Sequence, residues 1–194
     1  MSAPRLPKIL ITGTDGQVGF ELTRTLAPLG VIKALMRADL DLGDEDALRT
    51  LLDAEHPDII VNPAAYTAVD KAESDVAAAY AVNERAPAVM AQWAAAHGAF
   101  MVHYSTDYVF EGSGETPYVE NDAVAPQSVY GASKEKGEQA VRATLPEHFI
   151  FRTSWVFGAY GANFLKTMLR LMQERETLNV VADQIGAPTS AALL

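Results

Sequence analysis

The chain has 194 residues, 49% of them hydrophobic, no cysteine and a formal net charge of −10. The lack of cysteine excludes disulfides and thiolate metal sites, and the acidic charge disfavours a nucleic-acid partner, which clustered Lys and Arg would have to hold. Residues 1–7 contain no signal-peptide segment, and no apolar run approaches the length of a membrane span. We therefore expect a soluble, cytoplasmic chain with a single domain.

The first predicted strand runs directly into a glycine-rich turn. Residues 8–12 are almost continuously apolar, which is typical of a buried parallel strand, and after the turn apolar residues keep helical spacing until Gly30. A strand, a glycine turn and a helix in this order predict a dinucleotide phosphate site, with Gly13 for the tight turn, Gly16 for approach of the pyrophosphate and Gly19 for close packing. The cofactor-binding candidates here are Gly13, Asp15, Gly16, Gln17, Val18 and Gly19.

The second predicted strand, residues 31–36, ends at the position that selects the cofactor in dinucleotide-binding folds. An acidic residue there holds the ribose diol of NAD, whereas an arginine accommodates the 2′-phosphate of NADP. Here Met36 and Arg37 occupy it. Arg37 therefore favours NADP, with an exposed surface charge as the alternative, and Asp41 and Leu42 are placed to border an adenine pocket.

Strands and helices alternate along the rest of the chain. This alternation predicts an α/β fold with a doubly wound parallel sheet, the Rossmann fold. The acidic start of the next helix is interpreted as a capped, solvated helix end and not as a metal site. The further strands are predicted at residues 58–62, 99–104, 149–153 and 178–181, and the further helices at residues 43–53, 75–96, 130–143, 164–172 (as a core helix) and from 188.

Small and polar residues follow the third and fourth predicted strands. Ala64 and Ala65, next to Tyr66, would let a cofactor approach the backbone closely. Asn83 lies in the middle of a predicted helix, where asparagine is disfavoured, so it requires a hydrogen-bond partner unless it is simply exposed. His103 is interpreted as a histidine of the core, without a catalytic role.

Tyr130 and Lys134 are four residues apart in a helix that Ser128 can cap, so their side chains project from one face. Moving a tyrosine pKa from about 10 to neutral requires about 4 kcal/mol in favour of the phenolate. A lysine charge at about 5 Å supplies about 3 kcal/mol at an effective dielectric near 20. The pair therefore predicts a proton donor, and Thr106, just past a strand end, can face the same pocket.

Four longer sequence blocks accompany these motifs: AAYTAVDKAE at 64–73, YSTDYVF at 104–110, RTSWV at 152–156 and DQIGAPT at 183–189. With the glycine turn and the Tyr130-x-x-x-Lys134 pair, they resemble the extended short-chain dehydrogenase/reductase family, and within it the nucleotide-sugar reductases. The resemblance covers essentially all of residues 8–194. Two departures are that Met36 and Arg37 replace the acidic residue common after the second strand, and that family members continue well beyond Leu194.

The resemblance implies a role for each matching residue. Tyr130 would be the general acid, and Lys134 would both lower its pKa and hold the nicotinamide ribose. Thr106 would bind the substrate carbonyl, Asn83 would belong to a proton relay, and Tyr104 would line the cofactor groove. Asp107 and Trp155 would lie beside the sugar; from the residues alone, Trp155 could equally be a large packing residue.

The activity that the resemblance implies is reduction of the C4 keto group of dTDP-4-dehydro-L-rhamnose with NADPH or NADH. Residues 1–194 would then form one NAD(P)-binding Rossmann domain, with a smaller substrate lobe largely missing. A homodimer is compatible with this interpretation, and no metal, nucleic acid or membrane is expected. The alternatives are a nucleotide-sugar epimerase or dehydratase, and a reductase-like regulatory subunit of methionine adenosyltransferase.

Overall fold

The computed structural model describes residues 5–194. Its main strands are β1 (Lys8–Ile11), β2 (Val31–Ala34), β3 (Ile59–Asn62), β4 (Phe100–Thr106) and β5 (His148–Thr153). They form one parallel sheet in the order β2-β1-β3-β4-β5, so the strand order reverses between β1 and β3. This sheet confirms the predicted Rossmann-like fold, and β1 is the buried strand that its apolar run predicted; most residues of β3 and β4 are buried as well.

Helices cover both faces of the sheet. They are α1 (Gln17–Thr25), α2 (Glu45–Glu55), α3 (Val69–Ala72), α4 (Val76–Tyr80), α5 (Ala86–His97), α6 (Val129–Thr144) and α7 (Phe164–Glu174). The larger core packs α2, α5 and α6 against one face, and the smaller core packs α1 against the other. Within residues 5–194, no helix is long and apolar enough to cross a membrane.

Side chains of each buried strand alternate between the two cores. In β1, Leu10 joins the larger core, whereas Ile9 and Ile11 join the smaller one. In β4, Met101 belongs to the larger core and Tyr104 to the smaller one. This two-residue period fixes which strand residues can face α6, and it becomes important for the polar residues that extend the same rows.

The predicted helix at residues 75–96 is interrupted. Between α4 and α5 the chain forms a π-helical turn at Ala81–Arg85, which contains Asn83. Such single π turns inside longer helices occur frequently at functional sites. The long predicted helix is therefore present as a nearly continuous element, but with one widened turn that the spacing of apolar residues did not predict.

The first helix and the C-terminal segment differ from the predictions. Helix α1 ends at Thr25, not near Gly30, because Pro28 disfavours helical backbone at the residue before it. The predicted strand at 178–181 is wrong, since these residues have no regular structure. The second pair of strands is β6 (Val156–Phe157) with β7 (Thr189–Ser190), and the helical turn predicted from 188 is a 3-10 turn at Ala191–Leu193.

Helix α7 forms where predicted, but it is not a core helix. None of its residues is buried, and Phe164, Leu165, Leu169 and Met172 are all exposed. Their helical spacing correctly predicts one apolar face. The spacing could not predict whether another element covers that face, and within the described part of the chain none does.

Candidate active site

A cavity of about 710 Å³ lies at the carboxyl ends of the parallel strands, between the glycine turn and the first turn of α6. Open α/β sheets bind their ligands at this edge. Every predicted site residue except Asn83 lines the cavity: Gly13, Asp15, Gly16, Gln17, Val18, Gly19, Arg37, Asp41, Leu42, Ala64, Ala65, Tyr66, Tyr104, Thr106, Asp107, Tyr130, Lys134 and Trp155.

The glycine turn has no room for side chains at two of its glycines. Gly13 has a φ of +59°, and a Cβ there would lie 2.9 Å from the Cβ of Ala64. A Cβ on Gly19 would lie 2.2 Å from the carbonyl oxygen of Gly13, so α1 packs directly on the turn. Gly16 is the N-cap of α1 and lines the cavity. The amides at this helix start therefore offer an anion site without competition from a capping side chain.

The end of the cavity next to β2 contains Arg37. Two aspartates lie in the same region, and each accepts a hydrogen bond from a backbone amide of its own turn. Asp39 accepts a hydrogen bond from the Met36 amide at 2.8 Å, and Asp41 accepts one from the Gly43 amide at 2.8 Å. Arg37 is exposed and lines the cavity. Its charge also lowers the pKa of Tyr66, although burial and Asp75 raise that pKa more strongly.

The helix start positions Tyr130 at the opposite end. Ser128 accepts a hydrogen bond from the Gly131 amide at 3.1 Å, as predicted for the N-cap, and Glu73 accepts one from the Val129 amide at 2.8 Å. Tyr130 follows in the first turn of α6, with its ring edge-on to Tyr108 at a centroid distance of 5.6 Å. Two side-chain hydrogen bonds to backbone amides thus fix the first turn of α6, which carries Tyr130.

Burial dominates the electrostatics of the phenol. It raises the pKa of Tyr130 to about 12; the nearby hydroxyl of Thr106 lowers this pKa, whereas Asp107 and Tyr108 raise it. Burial also raises the pKa of Asp107. Thr106 donates a hydrogen bond to Asp107 at 3.1 Å and accepts one from the Tyr108 amide at 3.2 Å. In this arrangement Tyr130 is a protonated phenol at neutral pH, as a proton donor must be.

Lys134 is almost completely buried, at 1% exposure. Its ammonium donates a hydrogen bond to the Tyr104 carbonyl at 2.6 Å and lies 3.4 Å from Nε2 of His103. Burial lowers the pKa of Lys134 to about 8, and Glu138 opposes this shift. The predicted lowering of the Tyr130 pKa by Lys134 is absent from this arrangement, because the ammonium is directed to the Tyr104 carbonyl and burial raises the pKa of the phenol.

Comparison with known proteins places the chain in a family. The family model described as the RmlD substrate binding domain matches residues 7–194. The chain belongs to this family. The match covers nearly the whole sequence, and it confirms the resemblance that the four sequence blocks indicated.

Three relatives illustrate the likeness. A dTDP-4-dehydrorhamnose reductase of Burkholderia thailandensis is 54% identical over 184 residues, which are 95% of this chain and 62% of that protein. The structure of a dTDP-4-dehydrorhamnose reductase from Clostridium acetobutylicum has a TM-score of 0.91 and 42% identity, covering 95% of this chain and 66% of that one. One from Bacillus anthracis, in complex with NADP, has a TM-score of 0.90 and 42% identity, covering 96% and 66%. The chain thus spans about two thirds of its relatives' length or slightly less.

In this chain of the RmlD family, Asn83 does not line the cavity. Its side chain is hydrogen-bonded to Tyr66 and Ser133 instead. Its side-chain oxygen accepts a hydrogen bond from the Tyr66 amide at 2.8 Å, and its nitrogen donates to the Tyr66 carbonyl at 3.1 Å and to Ser133 Oγ at 3.0 Å. The partner that the sequence required is therefore present. Asn83 connects the loop after β3 to the helix that carries Tyr130 and Lys134.

Trp155 lines the sugar end of the predicted site in an unusual conformation. Its φ is +45°, which is rare for a large side chain. The indole packs edge-on to Phe164 with a centroid distance of 5.1 Å and lies over Gly186, where a Cβ would be 2.3 Å from the indole nitrogen. Trp155 is 39% exposed, so one side of the indole remains available at the cavity.

Sequence reasoning missed two residues next to the site. Ser133 joins Asn83 to α6, and His103, interpreted as a core histidine, is the neighbour of Lys134. The alternation of β4 was the available signal for His103, because it places this residue in the same row as Met101, which faces α5 and α6. No metal cluster of three or more His, Asp or Glu side chains occurs within residues 5–194.

Proposed function

We propose that the protein containing this chain is a cytoplasmic, NAD(P)H-dependent dTDP-4-dehydrorhamnose reductase. It would reduce the C4 keto group of dTDP-4-dehydro-L-rhamnose to the alcohol. The observation that carries this proposal is the convergence of Thr106, Tyr130 and Lys134 on one cavity whose other end is the glycine turn. Membership of the RmlD family and the 54% identical reductase support the choice of substrate.

The cavity fits a dinucleotide cofactor on physical grounds. The Gly13–Gly19 packing leaves the backbone of the turn open to the cavity, and the start of α1 presents unpaired amides to a pyrophosphate. Ala64 and Ala65 keep the middle of the cavity free of large side chains. The relative from Bacillus anthracis was solved with NADP, which supports the same cofactor here. When bound, the reduced nicotinamide supplies the hydride that C4 receives.

The proton would come from Tyr130. Because burial keeps the phenol protonated, Tyr130 can donate to the keto oxygen as charge develops there. Thr106 would donate a second hydrogen bond to the same oxygen, which requires its hydroxyl to turn from Asp107 to the substrate. Two donors on one oxygen stabilise the developing alkoxide, and the fixed first turn of α6 holds one of them in place.

The remaining residues would position substrate and cofactor. Lys134 would direct one N–H to the nicotinamide ribose, since its ammonium has three and the Tyr104 carbonyl takes one. Asp107 and Trp155 would border the sugar. Asn83, by contrast, would act on the site through Tyr66 and Ser133, as its hydrogen bonds indicate, rather than as part of a proton relay.

The decisive experiment is the Tyr130→Phe substitution. Oxidation of NADPH and NADH is followed with dTDP-4-dehydro-L-rhamnose, both for this chain and for this chain joined to the C-terminal part of the Burkholderia relative. Tyr130→Phe should reduce turnover by about 100-fold or more, while the Kd for NADPH stays nearly constant, because only the proton donor is lost. Tyr80→Phe, a half-buried tyrosine outside the cavity lining, is the matched control.

Normal turnover by Tyr130→Phe would contradict the assignment of the acid. A product epimerised or dehydrated without net oxidation of the cofactor would instead favour the epimerase or dehydratase alternative. Binding to methionine adenosyltransferase without reductase activity would favour the regulatory subunit. We also propose a homodimer, which light scattering of the purified protein checks.

A further inference from the structure

Four buried polar side chains form a continuous chain beneath the cavity. Thr12 Oγ1 lies 2.6 Å from Asn62 Oδ1, Asn62 Nδ2 lies 3.2 Å from His103 Nδ1, and His103 Nε2 lies 3.4 Å from Lys134 Nζ. All four side chains are 0% or 1% exposed. Groups buried this deeply must satisfy each other, because water cannot replace a missing partner.

The sheet itself brings these residues into line. Asn62 of β3 is paired in register with His103 of β4, and Thr12 directly follows Ile11, which is paired with Val61. Within their strands, Asn62 and His103 continue the rows of Ile60 and Met101, which face the larger core and α6. Three neighbouring strands therefore place a polar row directly opposite the lysine of α6.

The numbers of hydrogen-bond donors and acceptors determine whether the polar row can accept a hydrogen bond from a charged Lys134. An ammonium has three N–H donors and no acceptor. The Tyr104 carbonyl takes one N–H, and His103 takes a second only if Nε2 carries no proton. A neutral imidazole must then carry its proton on Nδ1 and donate it to the amide oxygen of Asn62. The amide nitrogen of Asn62 can in turn donate to Thr12.

The opposite direction of hydrogen bonding suits only an uncharged lysine. With Thr12 donating to Asn62 Oδ1 and Asn62 Nδ2 donating to His103 Nδ1, as the atoms stand, the imidazole proton is on Nε2 and points at Lys134. A protonated lysine cannot accept it. A half-turn of the Asn62 amide exchanges its oxygen and nitrogen and converts one direction into the other with all side chains in the same places.

We propose that His103 is a positioning residue for Lys134: a neutral imidazole, protonated on Nδ1, that accepts a hydrogen bond from the ammonium at Nε2. Together with the Tyr104 carbonyl it fixes two of the three N–H groups, so the third points into the cavity. This role deepens the proposed function and rests on it, because holding the nicotinamide ribose is the work assigned to Lys134. The four-residue row, however, can be tested without turnover.

The charges around the pair agree with a neutral His103. Burial and the charge of Lys134 hold the pKa of His103 well below its usual value, and Asn62 opposes this only in part. Glu138, one turn further along α6, raises the pKa of Lys134 and so favours the ammonium. Tyr104, Asp107, Tyr108 and Tyr130 are titratable residues of the cavity lining, and within the described residues none of their side chains is hydrogen-bonded to the imidazole, whose partners are Asn62 and Lys134.

The tautomer of His103 is the first test. The chain is labelled with ¹⁵N-histidine and measured by long-range ¹H–¹⁵N NMR at pH 7, where Lys134 is charged; the His103 signals are assigned by their loss in His103→Gln. We expect a proton on Nδ1 and a bare Nε2. A proton on Nε2, or an imidazolium, would overturn the proposal. The result does not depend on cofactor or substrate.

Two matched substitutions are the second test. Gln at 103 places its amide near the position of Nε2 and keeps an acceptor for Lys134, whereas Asn reaches only the position of Nδ1. The Kd for NADPH, from fluorescence titration of variants that circular dichroism shows to be folded, should rise by about tenfold for His103→Asn and by about threefold or less for His103→Gln, because a hydrogen bond to a charged group is lost only in the first.

His97→Asn, which alters a histidine of α5 outside the cavity lining, should leave this Kd unchanged. Equal losses of affinity in His103→Asn and His103→Gln would overturn the positioning role. If the unsubstituted chain itself fails to bind NADPH, the proposed function is contradicted, and the tautomer alone then decides the state of the polar row.

Discussion

Arg37 is the residue expected to determine the choice between NADPH and NADH. It stands just after β2, where an acidic residue would bind a ribose diol, and the carboxylates of Asp39 and Asp41 each accept a hydrogen bond from a backbone amide of their own turn. Arg37→Ala should therefore raise the Kd for NADPH by about tenfold and leave the Kd for NADH nearly unchanged, since only NADPH carries the 2′-phosphate. Fluorescence titration with both cofactors measures this, with Arg49→Ala on α2 as the control. An equal loss of affinity for NADPH and NADH would show that Arg37 does not bind the 2′-phosphate.

The lowered pKa of His103 predicts how the stability of the folded chain depends on pH. Its pKa is well below 6.5 in the folded chain, so below pH 6.5 the unfolded state binds a proton that the folded state does not. Stability therefore falls as the pH is lowered through this range. Between pH 7.5 and 5.5 the loss due to one such histidine is about 1.4 kcal/mol. His103→Gln should remove this part of the pH dependence, as urea unfolding at the two pH values measures. An unchanged pH dependence would mean that the pKa of His103 is the same in the folded and the unfolded chain, so that burial does not lower it.

At the residue scale, the sequence predicted those site features that depend on local spacing. The glycine turn, the Ser128 cap and the shared face of Tyr130 and Lys134 all follow from the positions of neighbours along the chain. The contact of Lys134 with the Tyr104 carbonyl and with His103 depends on how α6 lies on β4. No local pattern contains that distance, so the sequence could not predict that burial, rather than Lys134, dominates the pKa of Tyr130 in this arrangement.

The π turn is the element that joins the loop after β3 to α6. Asn83→Ala would leave the amide and carbonyl of Tyr66 without their side-chain partner and Ser133 Oγ without one of its donors. Unpaired buried groups cost about 1–3 kcal/mol each, so we expect the free energy of unfolding to fall by about 2–4 kcal/mol. Urea unfolding measures it, and Asn179→Ala on an exposed residue should change it by less than about 0.5 kcal/mol. A comparably small change for Asn83→Ala would mean that water replaces the amide.

The positions of strands and helices could be predicted where the spacing of apolar residues determines them. The strands β1, β3, β4 and β5 and the helices α2, α6 and α7 lie close to the predicted positions. The π turn was not predictable, because one extra residue in a helix hardly alters the apolar spacing. Residues 178–181 have strand-forming side chains, but they pair with no strand of residues 5–194, and β structure requires such a partner. For α7, the pattern gave the apolar face but not its exposure.

At the scale of the whole molecule, the sheet order explains why distant segments meet in one cavity. Because β1 and β3 are neighbours while their helices cover opposite faces, the loops after them diverge and open a crevice at the carboxyl edge. Once a parallel sheet was predicted, the residues following each strand were expected at this edge. The contacts of Gln17 with Val156 and Asn163, which join the glycine turn to the segment after β5, were not expected, because they depend on how that segment folds back on α1.

Gln17 connects the cofactor end of the cavity to α7. Its side-chain nitrogen lies 3.3 Å from the Val156 carbonyl, and its oxygen accepts a hydrogen bond from Asn163 at 2.9 Å. Asn163 is also the N-cap of α7, where it accepts a hydrogen bond from the Lys166 amide at 2.9 Å. A ligand that orders the glycine turn should therefore order the first turn of α7 as well.

Hydrogen exchange with and without NADPH tests this connection. In the unsubstituted chain, NADPH should slow amide exchange by about 5- to 10-fold both in the glycine turn, residues 13–19, and in the first turn of α7, residues 164–168. Gln17→Ala should abolish the effect on α7 and retain the effect on the turn, because the amides that hold the pyrophosphate belong to the backbone. Gln92→Ala on α5 is the control and should preserve both effects. Protection of α7 that persists in Gln17→Ala would show that the signal reaches this helix by another route, such as the packing of Phe164 against Trp155.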